Sequence, residues 1–237
     1  MIDSLYLWQP LRQRFIEKLD TIVKLFFEKI YPVFSNAEED AHNMQYEAWE
    51  DLMHHPFTSK GNYIDPFDAV DSIVEFGYEQ FEILSLMRYR TLAMWIMCLC
   101  QTWEQQLAKF IIDEGRKCGI QYHSDYIKKG FTFSKETFLQ HGVEFEKLKS
   151  WEKIFELRQL TNTLKHADGP SADRLRKLRS DYFDWGESGF DKDTLEVYGS
   201  TLLDETLKIQ PQDFKDYFTA LVLFWNELPE RMEGIGQ

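Results

Sequence analysis

A chain of 237 residues with 43% hydrophobic and 16% aromatic side chains can bury a proper core, which excludes general disorder and fits one elaborated helical domain better than two independent modules. Its net charge of −13 argues against a surface coated throughout with cations for nucleic acid. The three cysteines, Cys98, Cys100 and Cys118, form no CxxC pair and leave an odd count, so neither a disulfide framework nor a zinc site is expected and the cytoplasm is the natural compartment.

Met1 to Trp8 lacks the basic, apolar and small-residue succession of a secretory signal. Pro10 then suits a first helical turn, and Leu11, Phe15, Leu19, Ile22 and Phe26 recur at helical spacing. Ser35 with Glu38 reads as a capping box before a second helix that stops ahead of Pro56. His55 to Pro66 reads as loop, since Gly61, Asn62 and two prolines interrupt it. His42, His54 and His55 show no metal-ligand spacing, and no metal is expected.

Asp65-Pro66 opens the next helix, with Gly77 as a break or kink. Beyond it Leu84, Arg88, Leu92, Trp95, Leu99, Trp103, Leu107 and Phe110 form one long stripe, with Arg88 marking either a frayed end or a carboxylate partner. The longest apolar run within it, Leu92 to Cys100, is too short to span a membrane, and no membrane partner is expected. Gly115 and Gly119 close this helix, and Ser134 caps a turn through Gln140.

Trp151 to Gly169, WEKIFELRQLTNTLKHADG, is the stretch the chain is organised around. Ile154, Leu157, Leu160 and Leu164 share its core face, while Trp151, Phe155, Arg158, Asn162 and His166 make a second stripe that begins apolar and ends polar, suited to a cleft or a partner. Gly169 is expected to take the left-handed cap and Pro170 to stop the helix, placing His166 in the last turn beside the negative pole. From His141 to Ser180 there are nine Lys or Arg against six Asp or Glu, so the chain's one basic stretch contains this helix, and much of the excess lies in Arg174, Arg176, Lys177 and Arg179. Ser171 caps the segment that carries them. An acidic, aromatic loop follows, tied down by Tyr182, Phe183 and Trp185; LEVYG and TLKIQ alternate like a small β-hairpin; Pro211 starts a closing helix. The organisation read from this is all-α: an N-terminal helical hairpin over 1–65, a helical core over 66–180, and loop, hairpin and closing helix over 181–237.

Residues 87–111, MRYRTLAMWIMCLCQTWEQQLAKFI, together with Trp151–Gly169 resemble the HEPN superfamily of helical bundles. There, a long helix with an aromatic-Glu-x-x-Leu pattern, here Trp103-Glu104 to Leu107, packs on a helix ending in Asn-x-x-x-His, here Asn162 to His166. The resemblance implies a metal-independent endoribonuclease of a toxin–antitoxin or phage-defence system, with RNA such as transfer RNA as substrate, a homodimeric site, an antitoxin or defence protein as partner, and no cofactor. His166 would be the general acid or base, Asn162 a positioning group, Arg158 or Lys165 the phosphate-binding cation, and Arg174, Arg176 and Lys177 the RNA-binding rim; the RNA's own 2′-hydroxyl would attack and leave a cyclic phosphate. In such enzymes the arginine commonly adjoins the asparagine, where this chain has Thr161. Arg158 lies about 12 Å along the helix axis from His166, a gap that an antiparallel dimer would close. The alternative is a non-catalytic HEPN-like subunit that binds a protein or a nucleotide through its aromatic stripes.

Overall fold

Helical periodicity in the sequence becomes helix almost everywhere in the computed structural model, which describes residues 4–34, 36–54, 58–59, 62–63, 66–122, 128–184, 193–201 and 205–234. The result is an all-α bundle with two small two-stranded antiparallel pairings. The chain divides into two compact units, Phe26–Thr91 and the remainder, Met1–Leu25 with Leu92–Gln237.

In the larger unit, β1 (Ser4–Tyr6) leads into α1 (Gln9–Leu25), which buries Phe15, Leu19 and Val23 against α8 (Pro211–Glu227). The interior of this packing is satisfied as well as apolar. Gln106 donates to the Phe15 carbonyl at 3.0 Å and accepts the Trp225 indole N–H at 3.2 Å, while the Phe15 and Trp225 rings stack at 4.6 Å. The second half of α3 (Pro66–Lys117) belongs here too, with Leu92, Leu99, Trp103, Leu107 and Phe110 buried as the stripe requires. Arg88 is exposed, which agrees with a frayed end of that stripe. Gly119, at φ 71°, closes the helix by letting the Ile120 N–H reach back to the Gly115 carbonyl. By length and composition alone α3 qualifies as a membrane-crossing helix, with a most apolar 18-residue window of mean hydropathy 1.3, and the core helix of a soluble protein passes the same test.

The next helices are α4 (Phe131–Gln140), α5 (Trp151–His166), α6 (Pro170–Leu178) and α7 (Thr194–Tyr198). Several sequence expectations are corrected in this region. Ser134 is a buried interior residue of α4 rather than its cap, because the chain already turns into the helix at Gly130, φ 57°. Gly169 is extended and precedes Pro170 at the start of α6, in the place given to Ser171; the reversal after α5 falls on Ala167, φ 59°. LEVYG is helical, not a strand: Asp193 accepts hydrogen bonds from the Leu195 and Glu196 N–H groups, and Gly199 ends the turn in the left-handed conformation. Antiparallel pairing in this unit lies elsewhere, between β1 and β4 (Arg231–Glu233), with Leu5 opposite Met232. Tyr182 and Phe183 are buried, as expected of anchors, whereas Ser35 and the loop from Trp185 onward lie outside the described residues.

In the smaller unit, a π-turn (Phe26–Ile30) and a 3₁₀ turn (Tyr31–Phe34) are followed by α2 (Ala37–His54), and β2 (Thr58–Ser59) pairs with β3 (Asn62–Tyr63) inside the stretch read as loop. The first half of α3 then runs straight through Gly77. A Cβ there would stand 2.8 Å from the Gln45 side chain, so the glycine serves the approach of α2 rather than a break.

Candidate functional site

The core face of α5 is as its spacing requires: Ile154, Leu157, Leu160 and Leu164 are all buried. The start of the helix is held from outside. Glu227, at the end of α8, accepts hydrogen bonds from the Lys149 and Ser150 N–H groups and from the Ser150 hydroxyl at 2.6 to 3.1 Å. Burial alone would raise the Glu227 pKa, but the bonds from Ser150 and Lys149 outweigh it and hold the carboxyl below its ordinary value.

Three residues of the second stripe, Trp151, Phe155 and Arg158, line a cleft. A hollow of about 620 Å³ is lined by Phe131, Lys135 and Leu139 of α4, Glu146 of the following 3₁₀ turn, and Trp151, Phe155 and Arg158 of α5. Phe131 and Trp151 lie nearly parallel, 6.1 Å apart, and form its aromatic floor. Lys135 sits 5.7 Å over the Trp151 ring and is paired with Glu146. Arg158 is doubly held: its Nε donates to Glu104 at 2.7 Å and its guanidinium lies 3.6 Å above Phe131. Phe131 and Lys135 carry no signal of this site in the sequence; Glu104 carries one, as part of the aromatic-Glu-x-x-Leu pattern.

The polar end of the stripe is separate. Asn162 is half-buried, and Lys165 and His166 are exposed on the last turn, none of them lining the cleft. Thr161 is 3% exposed and faces Cys100, so an arginine in its place would be buried in the core. The Cys100 thiol is itself pushed up to about 12, by burial first and by the Glu104 charge second.

Most of the basic stretch is neutralised by its own neighbours. Arg176 bonds Asp193 at 2.6 Å, Asp168 at 2.8 Å and Asp173 at 3.2 Å; burial works against its charge, yet the bonds to Asp193 and Asp168 raise its pKa. Arg179 is enclosed further still. One of its terminal nitrogens shares its two hydrogens among Glu156, Asp213 and the Tyr182 hydroxyl, at 2.8 to 2.9 Å, while the rest of the guanidinium holds Asp181. Tyr217 donates to the same Glu156 oxygen and bonds the Tyr182 hydroxyl, and burial raises the pKa of both phenols, keeping them neutral. Arg174 and Lys177 are exposed on α6.

No family model, curated protein or solved structure matches this chain. Among the described residues no group of three His, Cys, Asp or Glu side chains could hold a metal ion. Chemically, the cleft offers an aromatic, charge-compensated surface, and the helix end offers an imidazole and an ammonium group open to solvent.

Proposed function

We propose that this chain is a non-catalytic interaction subunit of HEPN-like type, which takes a protein partner on the aromatic cleft between α4 and α5. One observation carries this reading. Arg158, the cation that RNA cleavage would require near His166, is committed to Glu104 and Phe131, and a phosphate would have to displace a 2.7 Å ion pair to reach it. Arg176 and Arg179 are likewise committed, which leaves only Arg174 and Lys177 of that basic cluster exposed. The open aromatic floor, by contrast, resembles the centre of a protein interface, where Trp, Phe and a paired Arg are favoured.

The test compares two variants of the tagged full-length protein isolated from its own cells. A copurifying protein should be released by Phe155→Asp and retained by His166→Ala. In parallel, end-labelled transfer RNA incubated with the protein in EDTA should yield no cyclic-phosphate ends that depend on His166; finding such ends would overturn the reading.

A second reading, the metal-independent ribonuclease, draws on the helix end. His166 and Lys165 are exposed there, and Ala167 beside them holds a positive φ that a non-glycine residue adopts only at a cost. In a homodimer, a second copy would supply the cation, and His166 would move the proton of the RNA 2′-hydroxyl while Asn162 positions it. The same transfer RNA assay decides between the two.

A further inference from the structure

The smaller unit has a property that the α4–α5 cleft does not share. Between Phe26 and Thr91 there are thirteen Asp or Glu against four Lys or Arg, so this unit carries −9 of the chain's −13. Ala37, Ala41, Ala69 and Gly77, all small, are buried where its two helices meet. Five large apolar side chains lie outside: Tyr46 and Trp49 on α2, and Val74, Tyr78 and Phe81 on α3, are 38 to 70% exposed. These five line two adjoining hollows of about 170 and 330 Å³, which run as one groove beside the seam. A groove of this kind is unfinished as a core and needs an occupant to cover it.

The charge around the groove identifies the occupant's chemistry. At about 100° per residue, Asp71, Glu75 and Glu82 fall just outside the Val74–Tyr78–Phe81 line of α3, and Glu39 and Glu50 fall just outside the Tyr46–Trp49 line of α2. All five acids are exposed. An apolar floor between two acidic rims is complementary to a helix with one apolar face and basic flanks. From Val70 to Phe81 the groove extends about 17 Å along α3, room for about three turns of such a helix. A second copy of this chain is the wrong partner, because it would set one −9 unit against another.

We infer that the groove between α2 and the first half of α3 binds a basic amphipathic helix of a partner protein. This goes beyond the α4–α5 cleft and stands independently of what that cleft binds. The probe is a fluorescent 18-residue helical peptide with leucines on one face and lysines on the other, titrated against the full-length protein by anisotropy. Binding should weaken at least tenfold in Phe81→Asp, at least tenfold in Glu75→Lys/Glu82→Lys, and at least tenfold between 50 and 300 mM salt. Phe155→Asp, in the other cleft, should leave it unchanged, which separates failure here from failure of the proposed function. Phe81, Glu75 and Glu82 are exposed and Phe155 is half-buried, and circular dichroism establishes that each variant retains its helix.

Equal binding of the peptide by Phe81→Asp would reduce the interaction to unspecific charge attraction and overturn the inference. Equal binding of a glutamate-for-lysine peptide would do the same. Dimerisation seen by sedimentation at working concentration, and abolished by Phe81→Asp, would show the occupant to be a second copy instead.

Discussion

Replacing Arg179 with Met removes the cation that two buried carboxylates share. Arg179 is 20% exposed, and the Glu156 and Asp213 side chains facing it are only 11% and 8% exposed. Breaking a buried ion pair by deleting one partner costs about 3–5 kcal/mol, since the surviving charge is left without compensation. Here the lower end applies. Lys153 remains 2.8 Å from Glu156, and Asp213 keeps its bond to the Gln210 N–H at 2.7 Å, so the expected loss is about 3 kcal/mol. Urea unfolding followed by circular dichroism measures it. Arg179→Lys should lie between, because one ammonium cannot span the fan of acceptors that the guanidinium serves. Asp213→Asn in the Arg179→Met background should restore at least about 1 kcal/mol, the signature of coupled neighbours. If Arg179→Met unfolds within about 1 kcal/mol of the wild type, the network does not hold α5, α6 and α8 together in the way described.

Glu227 gives an acid-side prediction: its folded pKa is lowered, so its contribution is present above the unfolded carboxylate value and is lost as pH falls through the folded one. Glu227→Gln should therefore lower stability at pH 7 by about 1–2 kcal/mol and flatten the decline below pH 4.5, and an unchanged acid limb would rule this out. Cys98 and Cys118 are exposed while Cys100 is buried with a thiol at about 12, so a thiol reagent at pH 8 should modify two sites in the native protein and the third only in denaturant. Three rapid equivalents in the native protein would contradict the burial. Ala167→Gly should raise the melting temperature, relieving about 1 kcal/mol at φ 59° without changing the Thr163 contact made by its backbone N–H. A lower melting temperature would count against strain at that residue.

What was legible in the sequence followed one periodicity. The core face of α5, the stripe of α3 and the closing helix each repeat over several turns, long enough for the 3.6-residue pattern to speak unambiguously. Five-residue LEVYG was too short for that, and its helix signals were the flanking Asp193 and Gly199 rather than the alternation within it. The aromatic-to-polar stripe of α5 did indicate a cleft. Its other wall was illegible, because Phe131 and Lys135 reach Trp151 through folding of the intervening chain, and Glu104 lies 54 positions from the Arg158 it neutralises. A local excess of cations in sequence therefore says little about exposed positive charge in space: Arg176 and Arg179 each meet three carboxylates, and Asp181, Asp193 and Asp213 among these lie outside residues 141–180.

The clasp between Glu227 and Ser150 has a bearing on synthesis. Helix α5 begins with a serine whose own side chain does not close the first turn, and the missing acceptor arrives 77 positions later. While the chain is being made, that end stays open to water until α8 has left the ribosome. A nascent protein stopped before Glu227 would thus carry the wall of its aromatic cleft on a helix that still frays, and the surface would become rigid only once α8 has been made and has docked.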